Sequence, residues 1–313
     1  MINDRAIELP VAVFRLTFEA RGDVRLPPFV PSFWRGVLGP AFQALDQTRS
    51  LAKDGLFDRY FGKSSTAWMP RPFVIRGPVS KAWHVYRSEQ RFGVELVLIG
   101  PALDDASSFV EAFVLAGQRG LGTYRQKASL VALEVVAPHV QDWIDLDPTP
   151  NSVLEAPAFT PFPILPPSDM VMMDFRSPLT IRRDKKLLGP GEIDAGTLLS
   201  RLVHRVQDLA LLNKTGISKQ AFDRMASACH RVKTMKSTLR YAERGRVQKK
   251  RRAEDPEGEA YLDGCVGRVL LNMQASPELW PWVVMAPWLH IGRNATMGGG
   301  RVVLANLEGE IIG

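Results

Sequence analysis

The chain has 313 residues, 45% of them hydrophobic and 23% charged, which is ordinary for a globular protein of two domains and excludes a fibrous or disordered chain. It contains no apolar run of about eighteen residues and has two cysteines, so we expect no membrane span, no disulfide framework and no zinc motif. The net charge of +7 is concentrated in one segment, which makes a polyanion the expected class of partner.

The first ten residues mix charged and apolar side chains in a pattern unlike a signal peptide, so we expect a cytoplasmic protein. The first half then alternates strand and helix patterns in the order βαββαβ of a ferredoxin-like unit, the architecture of an RNA recognition motif. Pro40 is expected to bend or divide the first helix. The predicted strands are Val11–Phe18, Arg71–Arg76, Ala82–Arg87, Arg91–Ile99 and Ala128–Val136, and the predicted helices are Pro31–Leu45 and Ala106–Arg119.

A proline-rich stretch separates two halves of the chain. Prolines recur between Pro148 and Pro167 at a density that makes a regular element unfavourable. We therefore expect a domain at residues 1–147, a linker at 148–168 and a second domain at 169–313.

The second half predicts another ferredoxin-like unit, with a basic helical insertion at residues 214–260 and a glycine-rich loop at 290–301. The fold class is α+β with tandem ferredoxin-like, RRM-like domains. The apolar run at 277–289 is interrupted by prolines, so its type stays open. The predicted elements are a broken strand over Met170–Ile181, helices at Leu198–Leu212 and Ser218–Met235, and strands at Tyr261–Leu271 and Val302–Leu304.

The basic segment covers residues 231–252, with ten Lys or Arg and one acidic residue, Glu243. Its charge of +9 leaves −2 for the rest of the chain. A charge run is most often a solvated face or a disordered tail, but this one is internal and holds all of the excess charge, which favours RNA binding. The predicted contacts are Arg231, Lys233, Lys236, Arg240, Arg244, Arg246, Lys249, Lys250, Arg251 and Arg252.

The glycine-rich loop lies between an apolar run and a short strand. Glycines let a backbone approach a ligand closely, and free N–H groups with arginines suit a phosphate. We therefore expect RNA contacts from Gly292, Arg293, Asn294, Thr296, Gly298, Gly299, Gly300 and Arg301.

Four stretches, taken in order, resemble the CRISPR-associated endoribonucleases that cut precursor CRISPR RNA within its repeats, in the repeat-associated mysterious protein superfamily. The C-terminal stretch is the most specific, because it looks like the family's glycine-rich signature. The four are the first strand with Leu26–Phe29 and Trp34–Gly39, Phe92–Ala102 with Arg119–Gly122, Asp174–Leu179, and Tyr261–Leu271 with Trp288–Arg301.

This resemblance implies cleavage without metal or cofactor, in which the ribose 2′-OH attacks the neighbouring phosphate and leaves a 2′,3′-cyclic phosphate. It implies as partners CRISPR repeat RNA, often a stem-loop, the mature crRNA that the enzyme retains, and other CRISPR effector subunits. A non-catalytic crRNA-binding subunit of an effector complex and a general basic RNA-binding protein are the alternatives.

Cleavage needs a base, an acid and cations around the phosphorane. Many family members place a histidine at or near the first helix, and this chain has none in Pro31–Leu45. His290 enters the glycine loop, where it is expected either to act as general base or acid or to bond nearby carbonyls. Arg35 is expected to clamp the scissile phosphate or to form a salt bridge between elements.

The remaining candidates carry weaker signals. Tyr241 is expected to orient the 2′-OH or to stack on a base. His84, His139 and His204 are expected to be surface or satisfied core residues, and nothing specific assigns His230.

Overall fold

A computed structural model describes residues 7–49, 55–62, 69–137, 142–161, 168–242 and 263–311. These residues divide into two compact units, one at 11–159 and another that combines residues 7–10 with residues from 160 onward. No helix in the described part of the chain is long and apolar enough to cross a membrane.

The first unit is an antiparallel sheet with two long helices packed on one face. Its five-stranded sheet has the order β3-β5-β1-β6-β7. Without β7, this is the strand order of a ferredoxin-like unit, as the sequence predicts. The elements are β1 (Val11–Ala20), β2 (Val24–Leu26), α1 (Val30–Thr48), α2 (Leu56–Tyr60), β3 (Phe73–Arg76), β4 (His84–Tyr86), β5 (Arg91–Ile99), α3 (Ala106–Arg119), β6 (Ala128–Val136) and β7 (Trp143–Leu146).

Aromatic side chains fill the space between this sheet and its helices. Trp34 of α1 is fully buried, with ring centroids 5.1 Å from Phe18 of β1 and 5.0 Å from Phe113 of α3. Helix α1 runs without interruption through Pro40, which corrects the expected break. Buried side chains before and after Pro40, Leu38 and Phe42, hold both halves of the helix on the core, and this packing outweighs the lost backbone hydrogen bond.

A two-stranded ribbon of β2 and β4 stands apart from the main sheet, which the sequence did not predict. It pairs Leu26 with His84. The loop that leads into β4 is tied to the start of α1, because the Ser80 N–H donates to the Pro28 carbonyl at 2.9 Å and Val79 bridges Phe29. The ribbon therefore fixes the position of the first turn of α1.

The beginning of the proline-rich stretch packs on the first unit. Phe159 exchanges two backbone hydrogen bonds with Val11, each 2.8 Å long, and Val153 is buried. Residues 162–167 of the predicted linker lie outside the described residues.

The second unit repeats the strand order of the first. Its sheet has the order β11-β13-β8-β14, with β12 also paired to β13, which confirms tandem ferredoxin-like folds. Two short helices, α6 and α7, occupy the place of the second long helix because each carries a proline. The elements are β8 (Met170–Leu179), β9 (Arg182–Arg183), β10 (Lys186–Leu187), α4 (Ala195–Leu212), α5 (Lys219–Cys229), β11 (Lys233–Ser237), β12 (Arg240–Tyr241), β13 (Cys265–Asn272), α6 (Trp280–Val283), α7 (Ala286–Leu289) and β14 (Val302–Ala305).

The predicted helix at Ser218–Met235 is too long. Ser218 caps α5 by accepting a hydrogen bond from Ala221 N–H at 3.2 Å, but the helix ends at Cys229. Lys233 already pairs with Asn272 in the sheet. The described part of the basic segment after α5 is thus a turn and sheet strands instead of a helical insertion, because β13 offers a backbone partner that the sequence pattern does not reveal.

Candidate functional site

The glycine-rich loop is anchored on the end of strand β8. Ser177 Oγ donates to the Gly298 carbonyl at 2.6 Å and accepts from the Arg301 N–H at 2.8 Å. The Gly300 N–H donates to the Pro178 carbonyl at 2.9 Å. These bonds fasten the C-terminal side of the loop to a buried strand, so the loop is a built element with a defined shape.

The glycines serve this anchoring rather than the approach of a ligand. A Cβ on Gly300 would lie 1.8 Å from the Ile291 carbonyl oxygen, and one on Gly292 would lie 2.6 Å from that of Thr180. Both have positive φ, 64° and 86°, which favours glycine. Gly298, like its two successors, is buried.

The backbone N–H groups that the sequence analysis took to be free are largely used within the protein. Their acceptors are carbonyl or hydroxyl oxygens of the loop itself, of strand β8 or of the residue that follows β8. Hydrogen bonds within the protein occupy the backbone N–H groups of the predicted contacts Arg293, Gly298, Gly299, Gly300 and Arg301, which argues against their use in binding a phosphate.

His290 lies inside the protein at the C-terminus of α7. Its exposed fraction is 0%, and its Nδ1 is 3.1 Å from the Gly299 carbonyl oxygen. Its backbone, with φ 61° and ψ 164°, occupies a region that is otherwise reserved for glycine and costs on the order of 1–3 kcal/mol. The ring is not accessible in this conformation, which argues against the predicted role as general base or acid. The alternative, a side chain that bonds a nearby carbonyl, agrees with the structure.

The outer side of the loop presents cations. Arg293 is exposed, and Arg301 is half-buried, as are Asn294 and Thr296. Neither guanidinium forms an ion pair within the described part of the chain. These side chains, and not the glycine backbone, are the accessible part of the predicted RNA contact.

Strands β11 and β12, which both pair with β13, form a second basic surface of this unit. Lys233 and Lys236 are exposed and lie opposite Asn272 and Leu270 of β13, on the same face of the sheet. Exposed Arg240 follows in β12, beside Tyr241 with an exposed fraction of 57%. We call Lys233, Lys236, Arg240 and Tyr241 the basic edge.

The rest of the basic segment gives two results. Arg231 is exposed but already paired within the protein, because its Nη2 donates to the Glu278 carboxylate and its Nε donates to the Ala275 carbonyl at 3.2 Å. The predicted contacts outside the described residues are Arg244, Arg246, Lys249, Lys250, Arg251 and Arg252.

Arg35 is the candidate of the first unit, on the first turns of α1. Its guanidinium lies 3.9 Å from the Phe61 ring centroid, and the predicted salt bridge is absent from the described residues. Burial, and then the charge of Arg71, lower the pKa of Arg35 to about 10. Arg71 donates to the Gly62 carbonyl and, at 2.9 Å, to that of Arg59. Two guanidinium groups close enough to repel each other, with no described carboxylate on Arg35, suit an anionic ligand.

The other histidines are placed on the surface or at its edge. His84 lies at the ribbon with its Nε2 3.0 Å from Ser80 Oγ, a pair that the sequence did not predict. His204 places its Nδ1 2.7 Å from the Ser200 carbonyl oxygen, and His230 is exposed. His139 lies outside the described residues. Within those residues, no three His, Cys, Asp or Glu form a group that could hold a metal ion.

Comparison with protein-family models identifies two matching parts of the chain. Residues 173–302, which contain the glycine-rich loop and β8 from Met173 on, match the model of the CRISPR-associated endoribonuclease Cas6. Residues 9–148 match a model described as an N-terminal domain. The chain is thus similar to the Cas6 family over residues 173–302. It therefore carries an RNA endonuclease domain of the type that processes CRISPR RNA.

Solved structures of Cas6 proteins share the fold across nearly the whole chain. The Cas6 (TTHB231) product complex, a Thermus thermophilus protein, has 15% identity, a TM-score of 0.58, and coverage of 95% of this chain and 99% of that chain. The Cas6 (TTHA0078) product complex has 18% identity, a TM-score of 0.53, and coverage of 95% and 100%.

A third structure is a multi-protein assembly, the partial Cas6-RT-Cas1–Cas2 complex. It has 15% identity and a TM-score of 0.55, and the match covers 100% of this chain and 49% of that chain. At these identities the likeness establishes the fold. No curated protein sequence matches the chain.

The packing of the loop predicts the effect of a single methyl group. We expect Gly300→Ala to destabilise the protein by at least about 1–3 kcal/mol, because the added Cβ meets the Ile291 carbonyl oxygen and φ is positive. Urea unfolding measures the change. Gly191→Ala is the control, since a Cβ there meets nothing within 4 Å. Equal stability of the two variants would contradict the assigned packing role.

Proposed function

We propose that this protein cleaves precursor CRISPR RNA within the repeat, without a metal ion, and retains the mature crRNA for an effector complex. The observation that carries the proposal is the match of residues 173–302 to the Cas6 endoribonuclease. The accessible cations of both units supply the charge complementarity that an RNA backbone needs.

In the proposed reaction the ribose 2′-oxygen bonds to the adjacent phosphorus and the bond from phosphorus to the 5′-oxygen breaks. The products are a 2′,3′-cyclic phosphate and a 5′-hydroxyl. Negative charge accumulates on the phosphorane oxygens, and preorganised cations are effective at this point. Arg35, whose guanidinium is partly desolvated and lacks a described carboxylate partner, is the group that we assign to the scissile phosphate.

RNA binding is assigned to the exposed side chains of the second unit. Arg293 and Arg301, with Asn294 and Thr296, would contact phosphates or sugars from the outer side of the loop. The basic edge would bind a further part of the repeat. The exposed ring of Tyr241 suits stacking on a base better than proton transfer, because no hydrogen bond in the described residues orients its hydroxyl.

The proposed protein partners are other CRISPR proteins. One solved relative is part of a Cas6-RT-Cas1–Cas2 assembly, which shows that this fold occurs in larger CRISPR complexes. A product that stays bound after cleavage would be handed to such a complex without release.

Labelled repeat RNA incubated with the protein in EDTA tests the reaction. We expect one discrete cut that leaves a cyclic phosphate, and no cut when the scissile nucleotide carries a 2′-deoxyribose, because the attacking oxygen is then missing. Gel analysis with and without acid treatment identifies the cyclic end. Tight binding without any cut would instead favour a non-catalytic crRNA-binding subunit.

Substitution of Arg35 tests the phosphate assignment. We expect Arg35→Lys to slow single-turnover cleavage about 10–100-fold, because an ammonium keeps the charge but loses the planar pair of N–H donors. RNA affinity should change little, since many other phosphate contacts remain. Arg91→Lys, on the exposed end of β5, is the matched control. Equal rates for the two variants would exclude Arg35 from the reaction.

The salt dependence of RNA binding tests whether the basic edge contacts phosphates. We expect Lys233→Glu with Lys236→Glu to weaken binding and to reduce the slope of log K against log salt by about 0.7–0.9 for each lost phosphate contact. The control reverses the same number of charges on the exposed β9–β10 turn, with Lys185→Glu and Lys186→Glu. If both double variants reduce the slope equally, the basic edge is not a specific RNA-binding surface.

A further inference from the structure

The ribbon of β2 and β4 has one buried face and one outward face. Val24 and Leu26 are buried on the inner face. Arg25 lies between them and opposite Val85, so these two side chains share the outer face, where Val85 is 58% exposed. The Arg25 guanidinium lies 4.7 Å from the ring centroid of Trp83, two residues before Val85. The outer face therefore presents a cation stacked on an aromatic ring.

The turn after α3 packs against this ribbon. A Cβ on Gly122 would lie 2.2 Å from the Arg25 carbonyl oxygen, so only glycine lets the turn approach β2 this closely. Two backbone hydrogen bonds between Leu121 and Gln126, of 2.8 and 3.0 Å, close the turn. Tyr124, inside the turn, is 64% exposed. A second aromatic ring is thus exposed in a turn that contacts the ribbon.

The ribbon and this turn form one positively charged surface. Besides the contact at Gly122, the Arg21 N–H donates to the Lys127 carbonyl at 2.8 Å. The surface contains seven Lys or Arg and two acidic residues, a net charge of +5. Because the basic segment holds +9, the rest of the chain has −7, and the positive charge is concentrated in these two places. We call this one the ribbon surface, and its segments are residues 20–26, 81–90 and 119–127.

Three arginines of the ribbon surface are not neutralised within the described part of the chain. No carboxylate there forms an ion pair with Arg25, Arg87 or Arg125, and the last two side chains are exposed. Arg21 differs, because its Nη1 lies 2.9 Å from the Glu19 carboxylate. Stacking on an aromatic ring fixes the plane of the Arg25 guanidinium and leaves its N–H donors at the edge of that plane. Such groups suit the phosphates of a nucleic acid.

The sheet face away from the helices, where an RNA recognition motif binds RNA, is less suitable. Arg15 lies between Phe14 and Leu16, whose side chains belong to the core under the helices, so Arg15 points to the opposite face. Its guanidinium lies 3.6 Å from the Glu95 carboxylate and 3.5 Å from that of Glu134. Two acids around one cation leave no positive charge for a phosphate. Within the first unit, the charge therefore favours the ribbon surface.

We propose that the ribbon surface binds unpaired RNA, with a base stacked on Tyr124 and phosphates bound by Arg25, Arg87 and Arg125. This inference rests on the proposed function and adds a binding site for a part of the CRISPR transcript outside any repeat stem. Unpaired bases expose their ring faces, whereas the bases of a duplex stack on each other and leave backbone and groove edges to a protein. An exposed aromatic ring among arginines therefore fits unpaired RNA better than a duplex.

Affinity for two RNAs tests the stacking contact. The first is oligouridine of about ten nucleotides, within the usual site size for single strands, and the second is a blunt RNA hairpin. We expect Tyr124→Ala to weaken oligouridine binding about 5–150-fold, because one stacked base is lost, and to leave hairpin binding unchanged. Tyr124→Phe keeps the ring and should bind both RNAs as wild type does. Fluorescence anisotropy gives the affinities, and thermal unfolding verifies that each variant is folded.

A matched control and the salt dependence test the specificity of this surface. Leu154→Ala removes another exposed apolar side chain of the first unit, with an exposed fraction of 67%, and should change neither affinity. Arg25→Gln and Arg125→Gln should each reduce the slope of log K against log salt for oligouridine by about 0.7, because each removes one phosphate contact. Arg25→Lys and Arg125→Lys retain the charge and should retain the slope.

The outcomes distinguish this inference from the function on which it depends. If wild type cleaves repeat RNA and Tyr124→Ala weakens both RNAs equally or neither, the ribbon surface is not a site for unpaired RNA and the proposed function stands. If the arginine variants leave RNA binding unchanged but weaken binding of an acidic peptide, the occupant is a protein and the inference is overturned. A wild-type protein that neither binds oligouridine nor cleaves repeat RNA overturns both.

Discussion

The hydroxyl of Ser177 connects the C-terminal side of the glycine-rich loop to strand β8 of the second unit. It is 1% exposed, donates to Gly298 and accepts from Arg301, so both sides of the bond are shielded from water. A buried hydroxyl that loses one partner costs about 1–3 kcal/mol. Gly300 lies in the same turn, where φ is positive and a Cβ would lie 1.8 Å from the Ile291 carbonyl oxygen, so the close return of the chain to this anchor requires glycine there.

The sequence predicts both catalysis and RNA binding in the glycine-rich loop, and the burial of His290 argues against catalysis there. The inner side of the loop holds its shape, and its outer side carries charge. A strained residue is tolerated where surrounding contacts over-determine its conformation. Here those contacts are the Gly299 carbonyl and the backbone bond to Ala286. Of the predicted catalytic residues, Arg35 on the first turns of α1 is the one whose surroundings suit an anionic ligand.

Periodicity predicted most long elements, because hydrophobic spacing reflects burial on one face. Ala106–Arg119 appeared with the predicted bounds, and the helix at Leu198–Leu212 began three residues earlier, at Ala195. Strand β11 was missed, since its residues are all exposed and it exists only through pairing with β13. The hydrogen bond between Ser80 and His84 was not predicted either, because two polar residues four apart in a loop leave no hydrophobic periodicity in the sequence. The glycines were recognised, but whether their backbone meets a ligand or the protein itself depends on a fold that composition does not specify.

Strand β11 is the outermost strand of its sheet in the described chain, and its lysines bear on self-association through that edge. An edge strand exposes unpaired N–H and C=O groups that can recruit a strand from another molecule. Lysines on such an edge oppose this recruitment by charge repulsion and by the cost of desolvation. Lys233 and Lys236 therefore oppose self-association through this edge, and neutralising them is expected to promote intermolecular sheet growth.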